Sequence, residues 1–179
     1  MIYLIGMKHS GKTTVGRLTA GELSLPFIDL DDVILSIVDR EKSGIFDYCR
    51  TVYSAFGGEY FRKVEAEAAE EIASGSETAV CALGGGTVEN TAARARLRGT
   101  GCFVYLRESP DVLYSRVIQG GIPAFLDRDD PYGDFIRLCG IREKSYKKTA
   151  DITITGGGRT PRDLAREAAG RIREEGYVG

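Results

Sequence analysis

Eight residues constrain this chain more than any others. Gly6-Met7-Lys8-His9-Ser10-Gly11-Lys12-Thr13 fit G-x-x-x-x-G-K-[ST] at every fixed position. The pattern works in one setting, with a strand leading in and a helix leading out. Met1–Ile5 (MIYLI) is an apolar run suited to a strand, and Thr13–Leu23 sets Val15, Leu18 and Ala20 among polar residues as a helix would. There, Gly6 and Gly11 let the backbone curl so that its N–H groups face phosphate oxygens. The following helix adds the partial positive charge of its N-terminus. Lys12 is expected to reach the β- and γ-phosphates of ATP from a solvent-facing loop, and the Thr13 hydroxyl is a hard oxygen suited to Mg²⁺. Met7, Lys8, His9, Ser10 and Thr14 complete the expected ATP-binding stretch. A chance match is the alternative in a chain with 23 glycines, and the flanking elements argue against it. His9, the single histidine, reads as an outward loop side chain, because phosphoryl transfer needs positioning and charge neutralisation more than a histidine.

Further apolar runs alternate with helical patterns. Strands are expected at Pro26–Ile28, Thr78–Leu83, Gly101–Leu106 and Asp151–Thr155, and helices at Tyr60–Ala73, Asp111–Ile118, Phe135–Lys148 and Pro161–Glu175. Gly120–Gly133 is polar and broken by Gly and Pro, as a mobile segment would be. Alternation of this kind predicts an α/β fold with a parallel sheet, which binds ligands beyond the carboxyl ends of its strands. The loops at those ends, Gly6–Lys12, Asp29–Asp32 and Gly84–Gly86, hold the distinctive residues. With 179 residues and no linker or repeat, the chain reads as one domain over 1–179.

Net charge is −2 with no long basic run, so nucleic acid is not expected as a partner. No apolar stretch approaches membrane-spanning length, and Met1–Ile5 is too short for a leader's apolar core. Cys49, Cys81, Cys102 and Cys139 are widely spaced and lack a CxxC, which excludes an evident zinc site. Cys81 and Cys102 lie in apolar runs and read as core thiols. Reduced cysteines fit a cytoplasmic protein, and a monomer is the expected state.

Asp29 and Asp31 lie two apart at a strand end, on one side if the extended conformation persists. One can hold a magnesium-bound water and the other can take the proton of an acceptor hydroxyl. A solvated helix N-cap is an equal reading of the residues alone, and it suits Asp32.

Taken together, GMKHSGKTTVGR at Gly6–Arg17, FIDLDDVI at Phe27–Ile34, EYFRKVE at Glu59–Glu65, ALGGGTV at Ala82–Val88, VYL at Val104–Leu106 and REKSYKKTADITI at Arg142–Ile154 resemble the shikimate kinase family, in the family's order and over nearly the whole chain. The resemblance implies a three-layer α/β/α P-loop kinase with a central five-stranded parallel sheet, a mobile lid near 119–133 and an acceptor-binding helical segment near 31–62. It implies ATP and Mg²⁺ as donor and cofactor, and shikimate or a similar small hydroxy acid as acceptor. Thr13 and Asp29 would support the metal, and Asp31 would bind the acceptor hydroxyl and act as base. Arg62 and Arg142 would grip the acid's carboxylate, Gly84, Gly85 and Gly86 would meet the acceptor through main chain, and Arg116 and Pro161 would flank adenine. Two arginines can fork onto one carboxylate. Surface helix charges are the plain alternative for both, with Arg62 pairing to Glu65. Tyr53 and Phe61 align with the family's aromatic wall, which core packing explains equally well.

The sequence departs from the family in two places. Gly58 stands where the family has Glu. In the lid, Ile122-Pro123-Ala124-Phe125 puts isoleucine where the family has an arginine near the transferring phosphoryl group. Arg128, six residues along, is the candidate replacement. Two other readings stay open: a related kinase for another hydroxy or sugar acid, and a nucleotide-binding protein with weak or lost activity.

Overall fold

An uninterrupted apolar strand needs cover on both faces, and β1 (Ile2–Ile5) has it, since all four of its residues are buried. The computed structural model describes residues 1–42, 46–122 and 126–178. From β1 the chain passes to α1 (Lys12–Leu23), β2 (Phe27–Asp29), α2 (Leu30–Lys42) and α3 (Cys49–Ala73). It continues through β3 (Val80–Ala82), a 3₁₀ turn at Thr87–Glu89, α4 (Thr91–Leu97), β4 (Cys102–Arg107) and α5 (Pro110–Val117). A second 3₁₀ turn at Ile118–Gly120, α6 (Pro131–Thr149), β5 (Ile152–Thr155) and α7 (Pro161–Glu174) complete it.

The five strands form one parallel sheet in the order β2-β3-β1-β4-β5. Alternate side chains of β1 feed two cores. Ile2 and Leu4 join Val15, Val104, Ile154, Leu164 and Ala168 under α1 and α7. Tyr3 and Ile5 join Leu30, Ile34, Val64, Ala68, Leu97, Phe135 and Tyr146 under the helices of the opposite face. This is the expected three-layer α/β/α architecture. Edge strand β5 buries only Ile152 and Ile154 and leaves Thr153 and Thr155 exposed, as an edge covered on one face does. Cys81, Cys102 and Cys139 are buried free thiols, and Cys49 is half-buried.

Two helix starts differ from the sequence reading, and one short helix was not expected. Helix α3 begins at Cys49 rather than Tyr60, because it continues across a kink at Gly57, whose φ of 80° and ψ of 172° only glycine adopts readily. Helix α6 begins at Pro131, inside the expected lid: Asp130 caps it by accepting the Gly133 N–H at 2.9 Å. Helix α4, capped by Asn90, had no strong periodic signal in its seven residues. Parts of the expected lid (residues 123–125) and of the expected acceptor segment (residues 43–45) lie outside the described residues. Among the described residues no helix is long and apolar enough to cross a membrane.

Candidate active site

The loop between β1 and α1 is shaped by close approach. Gly6 has φ 147°, and a Cβ there would lie 2.7 Å from the Leu106 carbonyl oxygen on the neighbouring strand, so no larger residue fits. Gly11 occupies the N-cap of α1 and supplies no side-chain cap. The N-termini of α4, α5, α6 and α7 are instead closed by Asn90, Ser109, Asp130 and Thr160. The amides opening α1 therefore remain available to an anion. Ser10 Oγ, buried inside the loop, has no hydrogen-bond partner among the described residues.

Lys12 corrects one expectation. It is buried rather than solvent-facing, and its Nζ donates to the carbonyls of Gly6 and Met7, both at 2.9 Å. Burial lowers its pKa to about 8, against the opposing pull of the Asp31 and Asp29 carboxylates. His9 is exposed, with a left-handed φ of 63°. Partial burial, then the charges of Lys8, Lys12 and Arg116, hold its imidazole below the usual value, so the ring is neutral at pH 7. That suits an outward loop side chain.

The end of β2 brings hard oxygens to this loop. Thr13 Oγ1 donates to Asp29 Oδ2 at 2.9 Å, and Asp29 Oδ1 accepts the Asp31 N–H at 3.2 Å. A hydroxyl beside a carboxylate suits Mg²⁺, which takes few protein oxygens and keeps several waters. Among the described residues no cluster of three or more acidic, His or Cys side chains able to hold a metal occurs. Asp31 opens onto solvent, yet protein surrounds its carboxyl at longer range. That desolvation, reinforced by Asp29, raises its pKa above the ordinary aspartate value, with Lys12 opposing. The Cys49 thiol donates to the Asp31 carbonyl at 3.6 Å, and burial pushes its pKa up, which keeps it an inert thiol.

The triple glycine after β3 closes against both groups. A Cβ at Gly84 would lie 3.8 Å from Asp31 Oδ1, one at Gly85 3.2 Å from the Lys8 amide nitrogen, and one at Gly86 3.4 Å from the Arg142 Nη2. Asp31, the phosphate loop and Arg142 thus each adjoin the glycine turn that follows β3. Beneath it, buried Glu65 accepts from Thr87 Oγ1 at 2.7 Å and from Asn90 Nδ2 at 2.8 Å. Asn90 Nδ2 also donates to the Arg62 carbonyl at 2.8 Å. The expected alternative of an Arg62–Glu65 pair is therefore not realised: Glu65 is engaged inward, while the Arg62 side chain is exposed and makes no ion pair among the described residues. Tyr53 and Phe61 meet edge to face at 5.8 Å.

Arg116 Nη1 donates to the His9 carbonyl at 3.1 Å, and its Nη2 lies 3.6 Å from Glu108. Arg116 is thereby laid against the loop. Pro161 is exposed at the first position of α7. Arg128 is exposed before α6, without a hydrogen bond or ion pair among the described residues, so no contact ties it to the loop. Ile122 is exposed as well. Sequence reasoning missed Glu65, Thr87, Asn90, Glu89 and Tyr146. Tyr146 lies within the Arg142-x-x-x-Tyr146 pattern, and its hydroxyl donates to the Gly85 carbonyl at 2.6 Å.

A family model described as shikimate kinase matches residues 8–173. The shikimate kinase of Symbiobacterium thermophilum is 35% identical over 180 residues, covering 99% of each chain. That of Dechloromonas aromatica is 37% identical over 155 residues, covering 87% of this chain and 80% of its own. Among solved structures, shikimate kinase from Acinetobacter baumannii in complex with shikimate superposes with a TM-score of 0.83 at 29% identity, over 98% of this chain and 93% of that one. A gluconokinase from Sinorhizobium meliloti, at a TM-score of 0.57 and 18% identity over 97% and 91% of the two chains, shares the fold alone. On the matched length and the ordered motifs, the chain belongs to the shikimate kinase family.

Proposed function

We propose that this chain transfers the γ-phosphoryl group of ATP to the 3-hydroxyl of shikimate. The observation that carries the reading is the convergence of the phosphate loop, Asp31 and Arg142 on Gly84–Gly86. In this reading the amides of Met7–Thr14 and the Lys12 ammonium hold the phosphate chain, and Arg116 with Pro161 brackets the base. Arg62 and Arg142 take the acceptor's carboxylate. Asp31 accepts the proton of the acceptor hydroxyl as its oxygen bonds to the γ-phosphorus, the β–γ bridging P–O bond breaks and ADP leaves. Mg²⁺, held by Thr13 and through water by Asp29, would offset charge on the β- and γ-phosphates when bound. Arg128 serves as the lid cation in place of the residue that is Ile122 here. The free cysteines suit a cytoplasmic setting, and the product belongs to aromatic amino acid biosynthesis.

A coupled assay of ADP release tests the proposal with shikimate, gluconate and other small hydroxy acids as acceptors. Turnover with shikimate is expected to exceed that with the others by a wide margin. No turnover with shikimate, alongside turnover of another acid, would overturn it.

A further inference from the structure

Glu89 ends the 3₁₀ turn that follows the triple glycine, and it is joined to Arg142. Arg142 Nε donates to Glu89 Oε2 at 2.8 Å, with both side chains about three-quarters shielded from solvent. The contact uses the Nε edge alone. Nη2 lies 3.4 Å from where a Gly86 Cβ would stand, a point 4.0 Å from Glu89 Oε2, and makes no hydrogen bond among the described residues. One helical turn along α6, Tyr146 grips the carbonyl of Gly85, so α6 holds the glycine turn at two positions on one face. The Glu89 N–H, in turn, donates to the Gly86 carbonyl at 2.9 Å, which fixes Glu89 relative to the glycines.

A guanidinium can rotate about its long stem, and a carboxylate can meet it on either of two edges. With Nε already engaged, the terminal nitrogens are the edge left for an incoming acid. We infer that Glu89 is a positioning residue for acceptor binding, which holds Arg142 by Nε so that its terminal nitrogens face the glycine turn and receive the acceptor's carboxylate. The inference rests on the proposed shikimate kinase reading and deepens it. A charged partner so near could instead compete with the acceptor for Arg142. The two roles predict opposite effects on acceptor affinity.

Two substitutions separate reach from charge. Glu89→Gln keeps an oxygen at the same distance and loses the charge, whereas Glu89→Asp keeps the charge and withdraws the oxygen by one methylene. Steady-state kinetics are measured for both, varying shikimate and ATP separately. For Glu89→Asp the KM for shikimate is expected to rise about ten-fold, the loss of one hydrogen bond to a charged group, with kcat and the KM for ATP unchanged. For Glu89→Gln the KM for shikimate should stay within about two-fold of wild type, since the bond to Nε is kept. An unchanged or lowered KM for shikimate in Glu89→Asp overturns the inference while leaving the kinase reading intact. So does a rise in both KM values together. A wild-type protein that does not phosphorylate shikimate overturns both.

Discussion

The Tyr53 hydroxyl lies over Gly58, where a Cβ would stand 2.9 Å from it. Glycine at this position thus makes room for a phenol that packs on Phe61. The obstruction is the tip of an exposed side chain, which can swing away. Gly58→Glu is therefore expected to fold with little loss of stability but to displace Tyr53 and alter the KM for the acceptor. Its neighbour behaves in the opposite way. A Cβ at Gly57 would meet open space, but the backbone there holds a φ of 80° with ψ of 172°. Gly57→Ala should cost about 1–3 kcal/mol, the usual strain of that backbone region. Thermal unfolding of the two variants checks the contrast, and equal melting temperatures would sink it.

The hydrogen bond from Thr13 to Asp29 joins the two residues proposed to hold Mg²⁺. Asp29→Asn should leave the fold intact and raise the Mg²⁺ concentration for half-maximal rate by about 10- to 100-fold, as loss of a residue orienting a metal's ligands does. Initial rates titrated against Mg²⁺ provide the measurement.

Asp31→Asn should lower kcat by about 100- to 10,000-fold, the range for loss of a general base, and spare ADP binding followed by calorimetry. Should ADP–Mg²⁺ affinity fall together with kcat, Asp31 would belong to the metal instead.

The pH dependence has a defined sign. In the proposed reaction Asp31 acts as an anion, and its raised pKa should move the acid limb of kcat/KM for the acceptor above the ordinary aspartate range. In the same proposal Lys12 acts as a cation, with a pKa lowered to about 8. In the free enzyme kcat/KM for ATP should therefore fall as pH rises through about 8. Bound phosphates favour the ammonium, so kcat should hold to higher pH. Parallel basic limbs in the two profiles would contradict this role for Lys12.

Arg128→Ala should reduce kcat by at least about ten-fold if Arg128 supplies the charge that Ile122 lacks, since a cation on the transferring group can be worth several orders of magnitude. Single-turnover rates at saturating ATP and shikimate are the direct measure. A rate equal to wild type removes Arg128 from the mechanism.

Much of this was legible in one dimension because the signals are local. The phosphate loop announces itself within eight residues, and each of the five strands is a short apolar run bounded by glycine or polar residues. What the sequence hid depends on contacts between distant segments. The expected helix starts at Tyr60, after the glycines at 57 and 58, while packing of Val52 and Val64 into one core carries α3 across them. Lys12 looked solvent-facing because a lysine in a loop usually is, and only the fold shows the carbonyls of Gly6 and Met7 enclosing it. Glu65 sits in a helix rich in Glu, with nothing local to separate it from its exposed neighbours. Its engagement by Thr87 and Asn90, more than twenty residues away in sequence, is set by how α3 meets the turn after β3.

The position of β1 has a consequence for how the molecule comes apart. The phosphate loop hangs from the innermost strand, flanked on both sides by hydrogen-bonded neighbours, whereas β2, which ends at Asp29 and leads into Asp31 on α2, is an outer strand of three residues. Fraying should begin at such margins and reach the centre last. Under gentle denaturant, grip on nucleotide is then expected to outlast the capacity to turn over, with amide exchange in β1 slower than in β2.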